Sequence, residues 1–78
     1  MNEQEVLYAM LQIRHVLERS PSAADTVQGI HAWWVDWPEP APHWEVTEAA
    51  LARLESQGAV ERVSVEGGRE IWRRARAA

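Results

Sequence analysis

The stretch Ala50-Leu51-Ala52-Arg53-Leu54-Glu55-Ser56-Gln57-Gly58-Ala59-Val60-Glu61-Arg62-Val63-Ser64-Val65-Glu66-Gly67-Gly68-Arg69-Glu70-Ile71-Trp72 changes its apolar period halfway along, and that change decides the fold. Leu51 and Leu54 have the spacing of residues that share one helix face, and Gly58 sits where a glycine ends a helix. From Ala59 onward the period becomes that of a strand, with Val63 and Val65 alternating with Ser64. Gly67-Gly68 suits a tight hairpin turn that needs positive φ, and Ile71 with Trp72 returns the chain. The stretch therefore reads as the end of a helix, a glycine stop and a β-hairpin.

Toward the N-terminus the helical phase of Leu51 and Leu54 runs back through Ala50, Thr47 and Trp44, which predicts a helix over 43–57. Ahead of it, Asp36-Trp37-Pro38-Glu39-Pro40-Ala41-Pro42 has prolines at alternate positions and predicts a stiff, extended, polyproline-like connection. Val27, Ile30 and Trp34 keep helical spacing and predict a helix over 24–35, with Ser22 and Asp25, or Asp25 and Gln28, as its capping box. Gly29 inside it is unfavourable by about 1 kcal/mol relative to Ala, which points to the close approach of another backbone. Ser20-Pro21-Ser22 separates this helix from one over 3–19, which Asn2 and Glu5 cap and whose stripe is Val6, Met10, Ile13 and Leu17. Leu7 and Leu11 lie about 100° around from that stripe, so this helix either packs under a neighbour or forms a dimer seam.

The chain has 78 residues, room for one domain over 1–74 with a frayed Arg/Ala tail at 75–78. With 46% apolar and 26% charged residues it belongs to the globular class, and a size this small excludes most enzyme architectures. It has no cysteine, which removes disulfides, thiolate metal ligands and cysteine nucleophiles and leads us to expect a reducing cytoplasm. The longest apolar run, Val6 to Leu11, is too short to span a bilayer, and the acidic opening Met1-Asn2-Glu3-Gln4-Glu5 is unlike an export signal, so a complete, membrane-free chain is expected. The net charge of −4 is unevenly spread: residues 1–58 carry three arginines against nine carboxylates, and residues 59–78 carry five arginines against three. A polyanion is expected to meet the C-terminal segment.

Three helices followed by a hairpin make an α+β domain whose element order resembles the winged helix-turn-helix, with residues 50–72 resembling the recognition-helix end and the wing of small bacterial regulators. That resemblance implies a third helix in the DNA major groove, a wing on the neighbouring minor groove or backbone, and a homodimeric transcription regulator. It assigns phosphate or base contacts to Arg53 on the helix and to Arg62, Arg69, Arg73 and Arg74 on or just past the hairpin. Helical geometry places Glu45, Ala49, Ala52 and Ser56 at the centre of the outward face, flanked by Glu48, Arg53 and Val46. Two Glu, two Ala and one Arg lack the forked donors that base reading uses, and phosphates repel carboxylates. The alternative for the hairpin arginines is pairing with Glu61, Glu66 and Glu70.

Four of the five tryptophans, Trp33, Trp34, Trp37 and Trp44, fall within twelve residues. Trp34, Trp44 and Trp72 are in phase with core residues. Trp33 and Trp37 either form a contact surface, presented by a stiff loop at little ordering cost, or fold over the core as a lid. The histidines, His15, His31 and His43, sit on three different elements without a metal-ligand spacing and are expected at the surface. No acid/base pair or phosphate-binding loop is evident, so no cofactor, no metal and no enzymatic activity are expected. Two functions follow: a regulator that binds duplex DNA, or a winged helix that binds a protein partner or a second copy through Trp33, Trp37, Ala49 and Ala52.

Overall fold

The computed structural model describes residues 1–76, which form three helices and a three-stranded antiparallel sheet. Ala77 and Ala78, the end of the expected frayed tail, lie outside the described residues. Ala75 and Arg76 are held in place, because Ala75 N–H donates to the Ala59 carbonyl at 3.1 Å and Arg76 N–H donates to Glu61 Oε1 at 3.3 Å.

Helix α1 (Glu3–Arg19) begins where Asn2 Oδ1 accepts the N–H groups of Gln4 and Glu5. Among the described residues the Glu5 carboxylate makes no return bond, so only half of the expected capping box forms. Val6, Met10, Ile13 and Leu17 are buried as predicted, joined by Ala9, while Leu7 and Leu11 are each 51% exposed. The α1 face carrying those two leucines is thus left open rather than covered by a neighbouring helix.

Ala24–Asp25, expected as helix, is instead a short strand, β1. Its partner is strand β3 (Glu70–Arg74), with Ala24 opposite Arg73 and Asp25 opposite Trp72. Helix α2 (Val27–Gly29), extended by a π-helical turn over Ile30–Trp34, starts later than predicted. Its cap is Thr26, which accepts Gly29 N–H at 3.2 Å, so neither Ser22 nor Asp25 forms the expected box. Asp25 Oδ1 bonds Thr26 N–H at 2.7 Å instead. This explains Gly29: a Cβ there would lie 2.2 Å from the Asp25 carboxylate, so a side chain, not another backbone, makes the close approach.

The proline segment bends at Glu39 and Pro40, so it is not one continuous polyproline run. Helix α3 (Glu45–Ser56) buries Thr47, Ala50, Leu51 and Leu54 as read from the sequence. Val46, placed on the outward flank by counting, is also buried, while Trp44 is the N-cap residue and only half-buried. The helix starts two residues later than predicted, and its first turn leans onto the core. At its end Gly58, at φ +78°, lets its own N–H reach the Glu55 carbonyl and Ala59 N–H reach the Leu54 carbonyl, which caps the last turn and aims the chain into strand β2 (Val60–Ser64).

Strands β2 and β3 pair in register, with Glu61 opposite Arg73 and Arg62 opposite Trp72, and the sheet order is β1-β3-β2. The turn is longer than the expected two residues: Glu66–Gly68 makes one 3₁₀ turn, with both glycines at positive φ and Val65 N–H closing onto the Arg69 carbonyl at 2.8 Å. Ile13, Ile30, Leu51 and Leu54 are fully enclosed between α1, α2 and α3, and Trp72 brings the sheet onto them. Each such side chain contributes about 1.5–3 kcal/mol of burial, which is how so short a chain holds three helices and a sheet together.

Candidate functional site

Two surfaces carry the residues singled out from the sequence, one between α3 and the hairpin, the other between α1 and the proline segment. On the first, register decides the chemistry. Because Arg73 lies opposite Glu61, its Nε reaches Glu61 Oε2 at 2.7 Å. That bond, with Arg76 N–H as a second donor, holds the Glu61 carboxyl below the usual carboxylate range. Because Arg62 lies opposite Trp72, its guanidinium stands 5.1 Å from the indole centroid, and it approaches Glu55 at 3.5 Å and Glu70 at 3.9 Å.

Arg53 does not face a groove. Its two terminal nitrogens clamp Glu3 at 2.5 and 2.6 Å, joining the end of α3 to the start of α1. This hydrogen-bonded pair lowers the Glu3 pKa and raises that of Arg53. Three of the five candidate arginines therefore already face carboxylates. Arg69 and Arg74 are exposed and form no salt bridge among the described residues.

Where α3 meets the hairpin, a notch of about 160 Å³ is lined by Glu48, Ala52, Glu55, Arg62, Glu70 and Trp72. Glu55 and Glu70 approach the guanidinium there, and Glu48 is a third carboxylate in the lining. Ala52 is exposed at its wall, whereas Ala49 is half-buried against the core.

On the second surface the two candidate tryptophans separate. Trp33, on the π-helical turn, is 83% exposed. Trp37 is half-buried against the core, donates its indole N–H to the His31 carbonyl at 3.1 Å and packs beside Tyr8, with ring centroids 5.6 Å apart. Trp33 stands in solvent, whereas Trp37 lies with part of its ring against the core.

His31, expected at the surface, is half-buried and ties the segment down. Its Nε2 meets the Pro42 carbonyl at 2.8 Å and its Nδ1 meets Thr47 Oγ1 at 2.6 Å. A carbonyl only accepts, so Nε2 carries the proton.

Tyr8, missed in the sequence, donates its hydroxyl to the Asp36 carbonyl. The two residues are 28 apart in the chain, so no local pattern announces the bond. A groove of about 610 Å³ runs along this face, with Glu5, Tyr8, Asp36, Trp37, Pro38 and Pro40 in its lining. Among the described residues no group of three His, Asp or Glu side chains could hold a metal ion, and no helix is long and apolar enough to cross a membrane. Compared with protein-family models, with curated proteins and with solved structures, the chain matches none.

Proposed function

We propose that the chain is a winged-helix domain that works as a protein-interaction module rather than as a reader of duplex DNA. Support for the winged-helix identity comes from the order of three helices and a glycine-tipped hairpin, with α3 capped directly into the first hairpin strand. The observation that carries the functional reading is the notch between α3 and the hairpin, where Glu55 and Glu70 approach Arg62 and Glu48 adds a third carboxylate to the lining. In a DNA-docked winged helix that surface would lie against phosphates, and carboxylates there are repelled while the neighbouring guanidinium is already compensated. The exposed Trp33 and the open Leu7 and Leu11 face offer the apolar anchors that a protein partner, or a second copy, uses.

The test is a chemical-shift titration of the labelled protein with a mixed-sequence duplex at about 50 mM and about 200 mM salt, a range over which phosphate binding weakens steeply. The expected result is an unmoved spectrum over residues 45–56 and 61–74 at both salts. Shifts there that fade at the higher salt would overturn the reading.

A second reading, a regulator that docks wing-first, is favoured by Arg69 and Arg74, the exposed hairpin arginines that form no salt bridge among the described residues. On that reading replacing both with Ala lowers the salt slope of DNA binding by about two.

A further inference from the structure

We propose that the groove between the first turns of α1 and the proline segment receives an arginine side chain of a partner protein, stacked on Tyr8 and Trp37 and paired with Glu5 and Asp36. The inference rests on the interaction-module reading and names the chemistry of the partner. The rings are pinned by their polar ends: the Tyr8 hydroxyl donates to the Asp36 carbonyl and the Trp37 indole N–H donates to the His31 carbonyl. They meet at 49°, 5.6 Å between centroids, so what they present to the groove is ring surface rather than donors. Aromatic faces attract cations, and a planar guanidinium stacks on them better than an ammonium does.

The charges agree with that occupant. Glu5 and Asp36 line the groove, no basic residue does, and neither carboxylate is engaged by a hydrogen bond or an ion pair among the described residues. This is unlike Glu3, Glu55, Glu61 and Glu70, each of which already faces an arginine. The groove lies beside the start of α1, yet its first N–H donors are not left for an anion, since Asn2 Oδ1 accepts Gln4 and Glu5 N–H. Pro38, Pro40 and Pro42 add an apolar wall that brings no N–H to compete for the carboxylates. A cavity of about 610 Å³ open to solvent accommodates the side chain together with the backbone that presents it.

The experiment titrates the labelled protein with acetyl-Arg-Arg-Arg-amide at about 50 mM salt, with the citrulline tripeptide as a neutral isostere, and repeats it on the double variant Glu5→Gln, Asp36→Asn. We expect the Trp37 indole N–H and the amides of residues 4–8 and 36–42 to move with the arginine peptide and to stay still with the citrulline peptide. The double variant should weaken binding about tenfold while keeping the parent's Tm, because the two carboxylates hold nothing else in place. Shifts confined to α3, equal shifts from the citrulline peptide, or unchanged affinity in the double variant would each overturn the proposal. The DNA titration reads residues 45–56 and 61–74, so the failure of either idea is seen separately from that of the other.

Discussion

The α3–hairpin side and the α1–loop side of this molecule hold similar chemistry arranged in opposite ways. On the hairpin side arginines and glutamates neutralise one another: Arg73 holds Glu61, and Arg62 lies between Glu55 and Glu70 over Trp72. On the loop side Glu5 and Asp36 lack such partners among the described residues, and aromatic rings line a groove. A charge count does not say which charges are left unpaired. The C-terminal segment has the excess of arginine, but strand register converts much of it into internal pairing.

The comparison breaks most sharply at Trp72, which is 6% exposed and lies opposite Asp25 on one side and Arg62 on the other. Trp72→Ala removes one of the two buried side chains, with Val60, by which the sheet meets the helices, and should cost about 3–5 kcal/mol in urea unfolding, a large share of the stability of so small a domain. A loss below about 1 kcal/mol would mean that Val60 and not Trp72 couples the hairpin side to the core. On the loop side the corresponding pin is polar. Thr47 is fully buried and its hydroxyl bonds His31 Nδ1, so Thr47→Val keeps the volume, strands that nitrogen and should cost about 1–3 kcal/mol. The same variant should move the amide signals of the proline segment, which His31 holds through the Pro42 carbonyl.

A smaller effect is read from the arginine-bound carboxylates as pH falls. Glu3 and Glu61 have folded-state pKa values below their ordinary ones, each chiefly through a hydrogen bond from an arginine side chain. Their contribution to stability is therefore present above the ordinary glutamate pKa and is lost as pH falls through the depressed folded values. Side-chain carboxyl signals followed by NMR should show Glu3 and Glu61 titrating below the ordinary range. In Arg53→Met the Glu3 midpoint should rise while Glu61 stays where it was. Glu3 is exposed and Glu61 half-buried, so solvent and salt limit the effect on folding, more for Glu3 than for Glu61.

Much of the framework was legible because periodicity and glycine chemistry are local. The Val6, Met10, Ile13 and Leu17 stripe, the Gly58 stop and the positive φ of Gly67 and Gly68 all follow from spacing and residue type. Strand β1 was not legible, because two residues, Ala24 and Asp25, show no period and become a strand only when β3 supplies the bonds. The start of α2 differs from the spacing reading for a related reason: several adjacent polar residues can each cap a helix, and strand pairing at Asp25 moves the start to Thr26. The site is less legible than the fold. Residue type offers pairing of the hairpin arginines with Glu61, Glu66 and Glu70, of which Glu61 and Glu70 pair, but the Glu3 and Arg53 clamp spans 50 positions and the groove joins Glu5 and Tyr8 to Asp36 and Trp37. Contacts at such separations come from packing α1 beside α3 and the loop, and no motif encodes them.

Trp33 and Trp37 offer the smallest and most discriminating change. Trp33 is solvent-facing on a helical turn, so Trp33→Ala gives up little burial, gains helix propensity and should shift stability by no more than about 0.5 kcal/mol. Trp37→Ala removes a half-buried ring, its bond to the His31 carbonyl and its contact with Tyr8, and should cost clearly more. The difference between the two, measured in one denaturation series, tests whether one tryptophan is surface and the other lid. If Trp33→Ala were the costlier change, and its cost grew with protein concentration, then Trp33 would be buried against a second copy in solution, since stability that depends on concentration reports association. In that case the loop side would itself be the interface between copies, and the apolar α1 face bearing Leu7 and Leu11 the next place to look for its continuation.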